Sequence, residues 1–267
     1  CGAMVSRYMP ELRLPQVVVE DTQAALGRLA LAWRRQFDPV RVAITGSSGK
    51  TTTKEMTASI FSLAGETLAT LGNKNNEIGV PLTLLRLGPS HRYGVFELGA
   101  NHKGEIAYTS GLVEPQAALI NNVGVAHLEG FGSRQGIAEA KGEIFSGLQP
   151  GGVAVINRDD DFADYHLALN QGRRVITFAV NAEADVRGSR LQLHPGGAWS
   201  FDLHLGDAVL PVSLRVLGRH NVSNALAAAA LAWACNIPLE IIVRGLESAR
   251  PAPGRLEVHH HGGLAVI

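Results

Sequence analysis

A glycine-rich segment between an apolar run and a helical pattern carries the strongest chemical signal in the sequence. It reads Thr-Gly-Ser-Ser-Gly-Lys-Thr-Thr-Thr over residues 45–53 and directly follows the apolar run 40–44. Backbone N–H groups at such a turn bind phosphate groups, helped by the positive end of the helix dipole. Lys50 would contact the outer phosphates, and the Thr51 hydroxyl would bind a magnesium ion. The segment predicts a nucleotide-binding loop; the alternative is a strand-turn-helix joint without a ligand.

The loop differs from the commonest phosphate-binding pattern at one position. That pattern has another glycine five residues before the Gly-Lys pair, where this chain has Ile44. What remains is the shorter form Gly-x-x-Gly-Lys-Thr, which indicates a different subtype of loop.

A carboxylate and a histidine follow two other apolar runs. Glu97 lies near the end of the run 93–98, where a solvated surface acid is not expected. Magnesium takes oxygen ligands and shares them with phosphates, so Glu97 is a candidate ligand. The alternative is an acid at the sheet edge that pairs with a lysine. His127 follows the run 117–122 and would lie above the same edge, although a lone histidine can also be structural.

Lys141 lies on the inward face of a predicted helix. Ile137, Lys141, Ile144 and Leu148 follow the spacing of one helical stripe. Burial of an ammonium lowers its pKa and raises the fraction of neutral amine, which can combine with carbon dioxide to give a metal-binding carbamate. The alternative is a side chain whose stem packs while its ammonium reaches water.

Two polar segments near the end of the sequence could contact a nucleotide. Asn224, in the segment 218–224, could read an adenine edge because its amide both donates and accepts, but asparagine and serine also cap helices. Arg255 follows Pro-Ala-Pro-Gly and could reach a phosphate or ribose, or cover surface.

Apolar runs and helical patterns alternate along most of the chain, which predicts an α/β fold with a doubly wound, mostly parallel sheet. Residues 185–217 instead alternate apolar and polar residues around glycine turns, which predicts a small antiparallel β insert. The predicted strands are 40–44, 67–70, 93–98, 117–122, 152–156 and 174–179. The predicted helices are 50–64, 78–87, 104–112, 134–148, 160–169, 220–234 and 238–248.

The amino-acid composition and the net charge argue against several classes of function. The 267 residues are 46% hydrophobic and 18% charged, and 24 basic residues balance 24 acidic ones. No overall charge would attract nucleic acid or an anionic membrane. Two cysteines are too few for a disulfide framework, and no apolar stretch reaches the roughly 20 residues of a membrane span. We expect a cytoplasmic, monomeric protein with no nucleic-acid partner and no membrane insertion.

Together these segments resemble the Mur ligases, the ATP-dependent amide-forming enzymes of peptidoglycan precursor synthesis. The resemblance covers about residues 20–267. The matching stretches are Thr45–Thr52, Asn73–Pro81, Phe96–His102, Asn121–Gly132, Ala140–Phe145 and His220–Asn224.

The resemblance implies ATP and two Mg²⁺ ions as cofactors and a role for each candidate residue. Gly46, Ser47, Ser48, Gly49, Lys50, Thr51 and Thr52 would hold the phosphates. Thr51 and Glu97 would bind the first Mg²⁺, and His127 and carbamylated Lys141 the second. His220, Asn221 and Asn224 would flank the adenine, Arg255 would reach the ribose or phosphate, and Asn75 and Asn76 would lie near the substrate. Of these, Lys50, His127 and Lys141 would be catalytic.

The matching stretches are most similar to the branch of the family that joins UDP-N-acetylmuramoyl-tripeptide to D-alanyl-D-alanine through an acyl phosphate. Residues 1–20 would be the end of a UDP-sugar-binding domain, 21–39 a linker helix and 40–267 the central ATP-binding domain. The family's C-terminal domain would be missing, so we expect an incomplete enzyme. Alternatives are a diaminopimelate- or lysine-adding ligase, a folylpolyglutamate synthase, or a nucleotide-binding fragment without turnover.

Overall fold

A computed structural model describes residues 2–125, 128–251, 259–261 and 264–266. The strands are β1 Ala3–Val5, β2 Gln16–Val18, β3 Val40–Thr45, β4 Thr67–Ala69, β5 Tyr93–Glu97, β6 Ala117–Ile120, β7 Val153–Asn157, β8 Arg174–Ala179, β9 Val186–Leu193, β10 Ala198–Leu205, β11 Ala208–Leu217, β12 His259–His261 and β13 Leu264–Val266. The helices are α1 Thr22–Arg34, α2 Lys50–Ala64, α3 Gly79–Leu84, α4 Glu105–Val113, α5 Leu128–Phe131, α6 Arg134–Gly142, α7 Ala163–Leu169, α8 His220–Ala234 and α9 Leu239–Ser248. A 3-10 helix, Glu143–Gly147, continues α6.

Nine of the described strands form one sheet in the order β11-β10-β9-β8-β7-β6-β3-β5-β4. All pairs from β4 through β5, β3, β6, β7 and β8 to β9 are parallel, whereas the pairs β9–β10 and β10–β11 are antiparallel. The predicted α/β fold with a mostly parallel sheet is confirmed. The antiparallel strands extend the edge of that sheet, because β9 pairs in parallel with β8.

The strands of the parallel part are buried on both faces, as helices cover a parallel sheet from both sides. In β3, Val42 and Ile44 pack into one hydrophobic core with residues of α2, α8 and α9. Ala43, between them, packs into a second core with residues of α1, α3, α4 and α6. Because successive side chains of a strand point to opposite faces of the sheet, alternate residues of β3 pack into different cores, one on each face.

Helix α8 lies at the centre of the first core. It packs against α2 and α9 on one side and strands β6 to β11 on the other, and its seven alanines are all buried. Small side chains allow backbones to approach closely, which explains the alanine-rich sequence. The same holds for Gly245 of α9, where an added Cβ would lie 2.4 Å from Ile60 Cα of α2.

Several boundaries differ from the predicted ones for identifiable reasons. The strand expected over 117–122 ends at Ile120, because the side chain and the backbone N–H of Asn121 bond to carbonyls of the glycine-rich segment 45–53, called the phosphate loop below. The helix expected from residue 160 begins at Ala163, since the Asp160 carboxylate accepts the Phe162 N–H at 2.9 Å. In the part of the chain that is described, no helix is both long and apolar enough to cross a bilayer.

Candidate phosphate-binding site

The glycine-rich loop joins the carboxyl end of β3 to the first turn of α2. Gly49 is the N-cap of α2 and has φ +74°, in the left-handed region that favours glycine. An added Cβ would lie 2.4 Å from both the Asn121 Nδ2 and the Asn224 Oδ1. The first bond within the helix runs from Thr53 N–H to Gly49 C=O, at 2.9 Å. The N–H groups before Thr53 therefore have no intrahelical acceptor and mark an anion-binding end.

The Lys50 side chain folds back over this loop. Its Nζ donates to the Gly46 carbonyl at 2.7 Å, and the residue is half-buried. This bond holds a positive charge above the turn, at the end of the helix where the dipole is also positive. The loop thus concentrates positive potential where phosphates would bind.

Two consecutive asparagines after β6 support the loop. The side-chain amide of Asn122 accepts from the Ser48 N–H at 2.9 Å and donates to the Ser48 carbonyl at 3.2 Å. Asn121 Nδ2 donates to the same carbonyl at 3.0 Å. The Ser47 N–H bonds the Asn122 carbonyl at 2.9 Å. The N–H groups of Ser47 and Ser48 are therefore held by the protein, which leaves the N-terminal turn of α2 as the part of the loop that could donate to an anion.

Glu97 ends the strand next to β3, and the strand register places it beside Ile44. It is buried, and its Oε1 accepts from Asn75 Nδ2 at 2.8 Å. Its Oε2 is buried with no hydrogen-bond partner among the described residues. An unpaired buried carboxylate oxygen is costly. A divalent cation held by Glu97 would remove that cost, so the carboxylate fits a magnesium ligand.

Lys141 points inward from α6 and is buried, which confirms the predicted inward face. Desolvation lowers the pKa of its ammonium to about 7, with a further contribution from the positive charge of Lys50. The second cause matters for the site, because it places the Lys141 amine within electrostatic reach of the phosphate loop. A large fraction of Lys141 is therefore a neutral, nucleophilic amine at neutral pH.

Helix α6 is attached to the loop that follows Glu97. Both oxygens of Glu143 accept from the Gly104 N–H at 2.8 and 2.9 Å, and the Lys103 ammonium pairs with Glu139 at 2.6 Å. These bonds hold the helix that carries Lys141 beside the segment that leads from Glu97 to α4. The sequence patterns did not identify Glu143, since its helix-capping role depends on contacts between distant segments.

The other predicted site residues have mixed positions. Asn75 orients Glu97, whereas the Asn76 side-chain Oδ1 accepts from the Gly79 N–H at 2.9 Å, at the start of α3. His220 is exposed at the start of α8. The buried Asn221 and Asn224 bond each other beneath the phosphate loop. His127 and Arg255 lie outside the described residues.

We also searched the described ranges for metal sites formed by His, Cys, Asp and Glu side chains alone. Residues 2–125 and 128–251 contain no group of three or more His, Cys, Asp or Glu side chains that could hold an ion. A metal bound by Glu97 would therefore need further oxygen atoms from phosphate, water or hydroxyl groups. This is typical of magnesium at a nucleotide site.

A family model and relatives of known name match this chain. The model of the Mur ligase middle domain matches residues 44–232. The UDP-N-acetylmuramoyl-tripeptide–D-alanyl-D-alanine ligase of Escherichia coli (strain K12) is 49% identical over 258 residues, which are 96% of this chain and 56% of the relative. The chain thus spans little more than half of that relative's length.

Solved structures agree with the sequence relatives. A crystal structure of MurF from Acinetobacter baumannii superposes with a TM-score of 0.93 at 43% identity and covers 98% of this chain and 57% of that one. MurF ligase from Thermotoga maritima, in complex with ADP, gives a TM-score of 0.86 at 27% identity and covers 98% of this chain and 60% of that one. The phosphate loop, the parallel sheet and these matches lead to one conclusion: the chain belongs to the Mur ligase family.

Proposed function

We propose that this chain is the ATP-using part of a ligase that joins D-alanyl-D-alanine to UDP-N-acetylmuramoyl-tripeptide in peptidoglycan precursor synthesis. One observation carries the proposal: the glycine turn that carries Lys50 directly follows β3, and the buried Glu97 carboxylate, with one oxygen unpaired among the described residues, ends the neighbouring strand. An anion-binding helix end beside a carboxylate that suits a magnesium ion fits a reaction in which a carboxylate and a phosphoryl group, both anionic, must meet. The names of the relatives supply the two substrates.

The proposed phosphate site consists of residues 46–52, that is Gly46, Ser47, Ser48, Gly49, Lys50, Thr51 and Thr52. The first turn of α2 would donate N–H groups to the phosphate oxygens, and Lys50 would move from the Gly46 carbonyl to the transferring phosphoryl group. The left-handed Gly49 supports this role, because only glycine fits between the phosphates and the two asparagine amides below.

Two magnesium ions would supply positive charge between the anionic groups. Thr51 and Glu97 would hold the first ion, and the unpaired Glu97 Oε2 fits this task. His127 and the carbamate of Lys141 would hold the second. The neutral amine of Lys141 is the form that combines with carbon dioxide, and the resulting carbamate would change a cationic side chain into an anionic ligand.

The chemistry would proceed in two transfers. A terminal carboxylate oxygen of the tripeptide bonds to the γ-phosphorus, the bond from that phosphorus to ADP breaks, and an acyl phosphate forms. The amine of D-alanyl-D-alanine then bonds to the acyl carbon, phosphate leaves with its bridging oxygen, and the amine loses a proton. Lys50 would stabilise the charge of the first transfer, and Asn75 would keep Glu97 oriented.

The remaining assignments are also proposals. Asn76 would lie near the reacting substrate, and His220, Asn221, Asn224 and Arg255 would serve the nucleotide. We propose that residues 1–20 end a UDP-sugar-binding domain, that 21–39 form a linker helix, and that 40–267 form the ATP-binding domain. A cytoplasmic location is also proposed, because the proposed reaction uses ATP, and a monomer remains our prediction.

The test is phosphate release from ATP in a chimera in which this chain replaces the matching 258 residues of the Escherichia coli relative. We expect phosphate release that requires both UDP-N-acetylmuramoyl-tripeptide and D-alanyl-D-alanine. Stimulation by a UDP-muramoyl dipeptide with diaminopimelate or lysine, or by a folate with glutamate, would transfer the assignment to those ligases. ATP binding without turnover in a folded chimera would favour a nucleotide-binding role alone.

A further inference from the structure

Three buried asparagines connect the phosphate loop to α8 through hydrogen bonds that all run in one direction. Asn121 Nδ2 donates to Asn224 Oδ1 at 2.9 Å, and Asn224 Nδ2 donates to Asn221 Oδ1 at 2.7 Å. Asn221 Nδ2 then donates to the Leu217 carbonyl at 2.7 Å. A carbonyl only accepts, so the last bond fixes the orientation of every amide before it. We name these three side chains the amide relay.

At its other end, the relay contacts the loop itself. Asn121 Nδ2 also donates to the Ser48 carbonyl at 3.0 Å, and Thr53 Oγ1 in the first turns of α2 donates to Asn224 Oδ1 at 3.3 Å. The two amides of Asn121 and Asn224 lie directly below Gly49. The relay therefore contacts the Ser48 carbonyl before Gly49 and the Thr53 hydroxyl after it, on both sides of the turn that would present N–H groups to phosphate.

The polar atoms of Asn224 are mostly used within the protein. Its Oδ1 accepts from Asn121 and Thr53, and its Nδ2 donates to Asn221, which leaves one N–H of the amide. The side chain is 4% exposed. An amide with this set of partners acts on the loop whether or not a purine base is bound.

On the basis of the proposed function, we propose that Asn224 is a positioning residue for the phosphates of the nucleotide. Through Asn121 it fixes the Ser48–Gly49 peptide, and through Thr53 it fixes the first turn of α2. The ligand class is then any di- or triphosphate that the loop binds, with or without a base. A residue that reads only adenine would instead leave binding of inorganic phosphates unchanged.

The test is calorimetric binding of ADP and of inorganic triphosphate, each with Mg²⁺, to the 267-residue chain. We expect Asn224→Ala to weaken both ligands by the same factor, roughly tenfold, because it breaks the hydrogen bonds that hold the loop. Asn221→Ala, one step farther from the loop, should weaken both ligands equally but less. Its side chain bonds the Leu217 carbonyl and Asn224, so it tests the relay even if Asn224→Ala does not fold.

Asn170→Ala is the matched control. Asn170 is also buried and also bonds a backbone carbonyl, that of His166 at 2.8 Å, but it ends α7 rather than supporting the loop. It should lower the melting temperature without changing either affinity. Weaker binding of ADP alone, or no change for either ligand, would overturn the positioning role. If the unsubstituted chain binds neither ligand, the proposed function itself fails, a result distinct from an unequal effect in the variants.

Discussion

Replacing Lys141 with methionine should stabilise the protein at neutral pH while removing a residue that the proposed reaction needs. Methionine has a similar length and no charge, so it fills the same buried volume inside α6. The lysine keeps its proton to about pH 10.5 in the unfolded chain, but burial and the charge of Lys50 lower its pKa to about 7 in the native state. Burial of the charged form therefore costs stability, and the methionine variant avoids that cost.

The size of the stabilisation by Lys141→Met and its pH dependence follow from the pKa shift of Lys141. A shift of one pKa unit is worth about 1.4 kcal/mol, so the shift from 10.5 to about 7 corresponds to at most roughly 5 kcal/mol of unfolding free energy. Between these pH values the unfolded chain binds more protons than the native one, so the unfolding free energy of the natural sequence rises with pH. The advantage of Lys141→Met should be largest at and below pH 7 and should shrink toward pH 10.

The assay is urea unfolding from pH 6.5 to 9.5 in buffers free of bicarbonate, since a carbamate would replace the amine. Lys54→Met is the control, because Lys54 is equally buried but its ammonium bonds the Thr70 carbonyl and pairs with Glu55. That variant should lose about 1–3 kcal/mol at every pH, as it leaves a buried carbonyl unpaired. Parallel pH curves for Lys141→Met and the natural sequence would refute the reasoning.

Three further perturbations test the site and the fold. Gly49→Ala should weaken ADP binding at least roughly tenfold, because alanine is strained at φ +74° and its Cβ would lie 2.4 Å from the amides of Asn121 and Asn224, so the loop must distort. An unchanged affinity in calorimetry would argue against this loop geometry. Glu97→Gln should strongly reduce the gain in ADP affinity that Mg²⁺ gives and leave metal-free binding intact, since a neutral amide oxygen attracts the ion much less than a carboxylate does; an unchanged gain would remove Glu97 from the metal site. Asp21→Ala should lower the unfolding free energy by about 1 kcal/mol, because its carboxylate caps α1 through the N–H groups of Gln23 and Ala24; an unchanged urea midpoint would contradict that cap.

Much of the fold could be predicted because local patterns agree with the global arrangement. The apolar run 40–44 followed by Gly-x-x-Gly-Lys-Thr is a local signal, and β3, the turn and α2 lie where it predicts. The inward position of Lys141 also followed from helical spacing alone. In both cases the deciding residues lie within one element or the next.

The hydrogen bonds that support the site could not be predicted from the sequence, because they join segments that are far apart in the chain. Asn121 and Asn224 are 103 residues apart, yet their amides bond below Gly49. Glu143 similarly caps the start of α4 from a separate helix. The sequence can single out an asparagine after an apolar strand as a candidate polar contact. It does not identify the hydrogen-bond partner, because the partner depends on which strands become neighbours in the sheet.

The most direct measurement for the central claim, that a carboxylate is activated by phosphoryl transfer at this loop, follows the carboxylate oxygen. The chimera would receive tripeptide substrate with ¹⁸O in both oxygens of its terminal carboxylate, and the released phosphate would be analysed by mass spectrometry. We predict one ¹⁸O atom in each phosphate that accompanies amide formation. Amide formation with unlabelled phosphate, or with the label in AMP, would contradict the account.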